Sequence, residues 1–282
     1  MAHRKTIFEI QEKKKKHEKI VMLTAYDCAM ATIIDQQPVD IILIGDSLAN
    51  VVLGLESTKD VGMREMLHHA KAVNRGVQQA LLVADMPYEA YQENIGAAVN
   101  NAHQFIEEAG CDAVKLEWFD QCLEVTERIV SAGIAVMGHV GLTPQSVDKL
   151  GGYKVQGTEA VYAQQIIEDA KALEKKGCFS VVLECIPKEV AEIITKELGI
   201  PTIGIGAGVH CDGQVLVIND LLGYSGRFKP KFVKQYASLA GMAGEGIREF
   251  CDEIRQGQFP GEEHSYHLKP GEREILKTKM SI

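Results

Sequence analysis

Nowhere in its 282 residues does the sequence offer the ~20 consecutive apolar residues that a helix needs to cross a bilayer. The basic N-terminus fares no better as a secretory signal, because "IVMLTAYD" (20–27) meets a charge before a useful apolar region forms. No Arg- and Ser-rich transit segment is present. The seven cysteines are odd in number, scattered from Cys28 to Cys251 and never spaced C-x-x-C, which argues against a disulfide framework and against a thiolate zinc site. A reducing cytoplasm is the expected setting. Positive charge is scarce as well: 30 Lys and Arg face 39 Asp and Glu, for a net charge of -9. Nucleic acids and membrane surfaces, which call for clustered positive charge, are therefore not expected as partners. The one basic run, Lys13 to Lys16, is flanked by acids in "EIQEKKKKHEKI" and reads as a solvated helix face.

What the chain does have is 46% hydrophobic residues gathered into short aliphatic runs. Runs closed by Gly, Asp or Pro occur at 20–27, 40–47, 80–87, 112–118, 134–140, 179–185, 201–208 and 214–220, and each reads as a strand. Helical patterns separate most of them, such as "MREMLHHAKAVNRGV", "IGAAVNNAHQFIEEAG" and "AQQIIEDAKALEKKG", the last two stopped by a Gly placed as a C-cap. Strands apolar on both faces and joined through helices pair in parallel, and eight such units predict a closed α/β fold, the (β/α)8 TIM barrel. The alternative is an open doubly wound sheet. "GIGAG" (204–208) does not support it as a phosphate loop, since that stretch runs through "VHCDG" into another strand rather than opening a helix. Those glycines read as a tight turn or a close backbone approach at the barrel rim, where the connection is too short for a normal helix. Residues 1–282 are expected to form a single domain, with a helix within 1–19, one or two outer helices after 221, and a peripheral polar tail at 258–282.

In a parallel barrel every strand ends on the same face, and that face carries the active site. The strand ends here are Asp27, Asp46, Asp85, Lys115 with Glu117, His139, Glu184, the glycine cluster and Asp220. Asp46, Asp85 and Glu117 close adjacent strands, so they can reach one ion directly or through its waters, and all-oxygen ligands favour Mg²⁺, then Mn²⁺. Lys115 shares a strand face with Glu117 and can stabilise a developing oxyanion. Glu184, set between "SVVL" and "CIP", is expected to have a raised pKa suited to a general base, across the mouth from Asp46. His139 adjoins both groups as a substrate contact. Metal, cation and opposed base suggest enolisation of a chelating 2-oxo acid, which leaves the electrophile open.

The motifs "LTAYD" (23–27), "IGDSLANVVLG" (44–54), "VADMP" (83–87), "AVKLE" (113–117), "GHVGLTPQS" (138–146), "GGYKVQG" (151–157), "VLEC" (182–185), "PTIGIGAGVHCDGQVLV" (201–217) and "FPGEEHS" (259–265) run in order along the chain. Together they resemble the ketopantoate hydroxymethyltransferase family. That resemblance implies Mg²⁺ ligation by Asp46 and Asp85, with Glu117 as a direct or water-mediated contact. It also implies a 2-oxo acid held by Asp46, Ser47, Asp85 and Lys115, and Glu184 as base. The reaction it implies is transfer of a one-carbon unit from 5,10-methylenetetrahydrofolate to 3-methyl-2-oxobutanoate, giving 2-dehydropantoate, by a homodecamer of barrels. Two stretches depart from the family. Trp118 and Phe119 stand where glycines are common, and "GLESTKDVG" (54–62) strays from the usual loop, which leaves loop closure and folate fit open. A Mg²⁺-dependent C–C lyase or mutase of the phosphoenolpyruvate mutase and isocitrate lyase type would share such a barrel, but no cysteine sits in its "KKCGH" setting. A catalytically silent barrel is the other alternative, and it is hard to reconcile with so many polar strand ends.

Overall fold

The computed structural model describes residues 3–148, 152–224 and 229–280. Gly151 of the "GGYKVQG" motif lies outside them, as do the extremes of the N-terminal segment and the tail at 1–2 and 281–282. The chain falls into two compact units, Met1–Tyr236 and Ala237–Ile282.

The first unit is built on eight strands: β1 (Ile20–Thr24), β2 (Ile41–Ile44), β3 (Leu81–Asp85), β4 (Ala113–Glu117), β5 (Val136–Gly141), β6 (Ser180–Glu184), β7 (Thr202–Ile205) and β8 (Gly213–Leu216). Each pairs in parallel with the next, and β8 returns to β1, so the sheet closes into a barrel in sequence order. The expected strands all form, and the expected (β/α)8 barrel with them. The helices α1 (Ile7–Lys15), α2 (Cys28–Asp35), α3 (Leu48–Val51), α4 (Met63–Asn74), α5 (Ala98–Glu107), α6 (Cys122–Ser131), α7 (Ala160–Lys175), α8 (Lys188–Glu197) and α9 (Ile218–Leu222) accompany them. No helix occupies 206–212, so the β7–β8 connection is the irregular one. Gly206 turns there with φ +66°, and a Cβ on it would meet the Phe232 ring at 2.9 Å.

The pleat sorts each strand's side chains into two cores. Ile41, Leu43, Leu81, Val83, Ala113, Met137, Val182 and Ile203 fill the barrel interior, while their neighbours Ile42, Leu82, Ala84, Val114, Leu116, Val181 and Leu183 pack outward against the helices. This double burial is why the strands read as unbroken apolar runs.

Below the barrel lies α1, opened by a capping box in which Thr6 and Glu9 satisfy each other's backbone N–H groups at 3.2 and 2.7 Å. Ile10 enters the inner core, fully buried. The lysine run departs from expectation, because only part of it is solvated. Lys13 Nζ lies 2.7 Å from Asp40, and Lys14 Nζ lies 2.8 Å from Asp212 and donates to the Thr195 carbonyl at 2.8 Å. Asp40 and Asp212, which precede β2 and β8, thus find cationic partners on α1. Asp27 also differs from its expected place at the mouth: it is exposed and caps α2, accepting from the Met30 N–H.

The second unit contains α10 (Leu239–Gln256), which begins nine residues after Pro230, and α11 (Glu272–Met280), a helix that the polar composition of the tail did not announce.

Asp40, 2% exposed, accepts from Lys13, from the Val21 N–H at 2.9 Å and from Lys5. Burial alone would raise its pKa, but these donors outweigh it and the net shift is downward. A carboxyl depressed in the folded state stabilises above its ordinary pKa, about 3.9, and that stability is lost as pH falls through the lower folded value. Asp40→Asn is therefore expected to cost about 2 kcal/mol at neutral pH and to shrink that penalty progressively below about pH 4. Urea unfolding across pH checks it, and a penalty independent of pH would show that the charge of Asp40 is not what matters.

Candidate active site

Period-two alternation aims the inward side chains at the strand ends into one space. Asp85 on β3 pairs in register with Lys115 on β4, and Glu117 on β4 pairs with His139 on β5. Glu184 closes β6 opposite Gly141. Asp46 and Ser47 lie just past β2, where Gly45 makes room: a Cβ there would stand 2.7 Å from Ser47 Oγ. All seven of these predicted residues line a single cavity of about 160 Å³, together with Thr58, Tyr153 and Asp220.

Contacts inside it are short and mostly charged. Lys115 Nζ lies 2.6 Å from Asp85 Oδ1, and the Asp46 N–H donates to Asp85 Oδ2 at 3.1 Å. His139 sits between two carboxyls, its Nδ1 3.6 Å from Glu117 and its Nε2 3.3 Å from Glu184. Ser47 Oγ is hydrogen-bonded to the Tyr26 hydroxyl at 2.8 Å. Burial pushes the Asp46 pKa well up, the charges of Asp85 and Glu117 add to this, and Lys115 and Gln145 oppose it. Burial works against the Lys115 ammonium, yet the three acids around it hold its pKa above the usual value. For His139, burial and Lys115 favour the neutral ring, but Glu117 and Glu184 prevail and bring its pKa up to about 9. The two carboxyls thus favour the protonated ring, while Lys115 Nζ, 3.5 Å from His139 Nδ1, opposes it. Glu184 differs from expectation in its surroundings: it is a partner of His139 rather than a carboxyl isolated among apolar groups.

The sequence argument missed Gln145. Its side-chain amide donates to Asp46 Oδ2 at 2.8 Å and to the Met86 carbonyl at 3.0 Å, and its backbone N–H donates to Glu117 Oε2 at 2.9 Å. The Tyr91 hydroxyl donates to its Oε1 at 2.6 Å. One residue thus fixes two of the three acids. Its only signal is its place in the "GHVGLTPQS" motif. Trp118 and Phe119 point elsewhere than the mouth: they line a separate cleft, with Phe119 edge-on to Tyr91 at 5.4 Å.

Among the described residues, the buried side-chain oxygen and nitrogen atoms without an aligned hydrogen bond are Thr58 Oγ1, Asp85 Oδ1 and His139 Nε2. The last two make the close charge contacts above, at angles that leave the atoms themselves unsatisfied. All three line this one cavity, where Asp85 Oδ1 and His139 Nε2 are held by their ion pairs and Thr58 Oγ1 is left without a partner. Gln145→Leu would strip donors from Asp46 and the Met86 carbonyl, and should cost about 3 kcal/mol of stability by chemical denaturation. A loss below about 0.5 kcal/mol would mean that the network does not depend on this amide.

Known proteins place the chain. A curated 3-methyl-2-oxobutanoate hydroxymethyltransferase from Syntrophus aciditrophicus is 53% identical over 257 residues, covering 91% of this chain and 94% of that one. Its counterpart from Carboxydothermus hydrogenoformans is 50% identical over 274 residues, covering 97% and 98%. Among solved structures, oxaloacetate acetylhydrolase in complex with the product oxalate superposes with a TM-score of 0.60 at 13% identity, covering 98% of this chain and 97% of that one, a likeness of fold alone. The family model for ketopantoate hydroxymethyltransferase matches residues 4–262, and the chain belongs to that family.

Proposed function

We propose that this protein transfers a hydroxymethyl group from 5,10-methylenetetrahydrofolate to 3-methyl-2-oxobutanoate, giving 2-dehydropantoate and tetrahydrofolate in pantothenate biosynthesis. The activity is that of the family and of relatives about half identical over nearly the whole chain. The observation that carries it to this site is the convergence of Asp46, Ser47, Asp85, Lys115, Glu117, His139 and Glu184 on one cavity.

A divalent cation fits the residues present. Four carboxyls, Asp46, Asp85, Glu117 and Glu184, face two cations, Lys115 and His139, and the excess negative charge is the kind a buried site relieves with a metal. Among the described residues no group of three or more His, Cys, Asp or Glu is arranged to grip an ion alone. Mg²⁺ commonly takes one or two protein carboxylates and completes its shell with waters and substrate oxygens, and Mn²⁺ is the next candidate. Asp46 and Asp85 would hold it, and Glu117 would reach it through water. When bound, the ion supplies Lewis acidity to the carbonyl of the oxo acid.

The chain's own groups supply the rest. Ser47 and Lys115 bind the oxo acid, and the Lys115 ammonium balances negative charge that gathers on the oxo oxygen as C3 loses its proton. Glu184 takes that proton from the opposite wall. His139 holds Glu184 in place through its 3.3 Å contact and adds positive charge to the substrate's surroundings. The enolate carbon then bonds to the one-carbon unit as that unit's two C–N bonds to the folate break; one water supplies the hydroxyl oxygen and the protons that leave tetrahydrofolate, so oxo acid, methylenetetrahydrofolate and water give 2-dehydropantoate and tetrahydrofolate. A homodecameric assembly rests on the family resemblance alone, and a cytoplasmic location on the scattered, free cysteines.

Proton exchange at C3 of 3-methyl-2-oxobutanoate in D₂O, followed by NMR without folate, tests the chemistry directly. Exchange should need Mg²⁺ and should fall at least ~100-fold in Glu184→Gln while binding of the oxo acid persists, since an amide cannot accept the proton. Normal exchange in that variant would remove Glu184 from the role. Asp85→Ala is expected instead to weaken Mg²⁺-dependent binding of the oxo acid about tenfold or more by calorimetry, and an unchanged affinity would count against a metal at Asp85.

A further inference from the structure

Beside the catalytic cavity lies a second, larger cleft of about 440 Å³. Only two stretches of chain separate them. On β4 the side chain of Glu117 faces the cavity, and the next residue, Trp118, faces the cleft. After β5, Pro144 lines the cavity and Gln145 binds its acids, while Thr143 and Ser146 line the cleft. The cleft and the cavity thus share no lining residue, and a ligand in the cleft would have to reach over this rim to meet the reacting centre.

The chemistry of the cleft selects its occupant. Among the described residues the charged ones that line it, Asp120, Glu159 and Asp169, are all acidic. An anion such as the 2-oxo acid or a glutamate tail is disfavoured there, whereas a neutral ring rich in N–H donors is matched. Trp118, Phe119 and Tyr162 offer aromatic surface for a flat ligand. Asp169 on α7 is only 9% exposed, an unusual place for an acid with no cation beside it. Its Oδ1 accepts from Gln165 Nε2 at 2.7 Å, and among the described residues no protein group donates to Oδ2. That second oxygen is not buried and reaches solvent in the cleft, where a ligand's donor could take the place of water.

We propose that this cleft binds the pterin ring of the one-carbon donor, with Trp118 against the ring face and the Asp169 carboxylate accepting from the ring's N3–H and 2-amino group. The proposal rests on the folate reading above and adds where the donor sits. A carboxylate facing two parallel N–H donors is a bidentate, geometrically specific contact. The ring would be directed with its one-carbon unit toward the shared wall. Trp118 and Phe119, which depart from the glycines common in the family, would then shape how this chain holds its donor rather than obstruct the mouth.

Trp118 is the only tryptophan in the chain, so its fluorescence reports on this cleft and nowhere else. Titration with tetrahydrofolate should shorten the Trp118 lifetime saturably in the wild-type protein, and in Asp169→Asn the midpoint should move about tenfold to weaker binding. The same variant, and Trp118→Leu, should raise the KM for methylenetetrahydrofolate about tenfold while leaving the KM for the oxo acid and the C3 exchange rate within about twofold. Unchanged exchange also certifies that each variant is folded. If the wild-type enzyme turns over methylenetetrahydrofolate but its tryptophan lifetime is indifferent to the ligand, or if Asp169→Asn leaves both midpoint and KM unchanged, the cleft is not the pterin site. Wild-type protein that exchanges C3 protons yet never consumes methylenetetrahydrofolate would overturn the folate reading itself.

Discussion

The charges at the barrel mouth are buried on the condition that each has another close by. A lone carboxylate or ammonium removed from water costs several kcal/mol, so Asp85 without Lys115, or Glu117 and Glu184 without His139, would leave an expensive orphan. Acids around Lys115 and His139 raise both pKa values against the effect of burial, and burial, with the charges of Asp85 and Glu117, raises that of Asp46. The cluster therefore behaves as one unit whose members cannot be assigned charges separately. Its geometry must be fixed before it can be stable, and the barrel fixes it.

That fixation comes from register. Parallel pairing sets Asp85 beside Lys115 and Glu117 beside His139, and the pleat turns all four inward above an apolar plug of Val83, Ala113, Met137 and Val182. Slipping any of these strands by one residue would send the charges into the helix-facing core and the aliphatic side chains into the mouth. Loops contribute in the same sense: Gln145 ties Asp46 to Glu117 from above, so the upper layer is braced from a segment outside the sheet.

Much of this was legible in the sequence because the strands are apolar on both faces and end abruptly in polar residues. Asp46, Ser47, Asp85, Lys115, Glu117, His139 and Glu184 could be gathered at one mouth by counting strands alone, and the structure brings them to one cavity. Asp27 could not be told from a mouth residue, since a helix N-cap and a strand-end acid are the same letter one turn apart. Gln145 was invisible because an amide in an irregular loop carries no periodic signal. The pairing of His139 with Glu184 depends on side-chain reach across β5 and β6, and the lysine partners Asp40 and Asp212 are distant in sequence. Neither has a local signature. The helix α11 lies in a segment whose composition suits a loop equally well.

The docking of α1 has a consequence for the order in which the chain assembles. Lys13 finds Asp40 soon after both are made, but Lys14 needs Asp212 and the Thr195 carbonyl, and Ile10 needs a lumen that exists only when β8 has met β1. During synthesis the first helix therefore waits through most of the chain before its buried face has anywhere to go. Its final seating couples the two ends of the barrel, so the closed ring is latched by a helix that precedes every strand it spans.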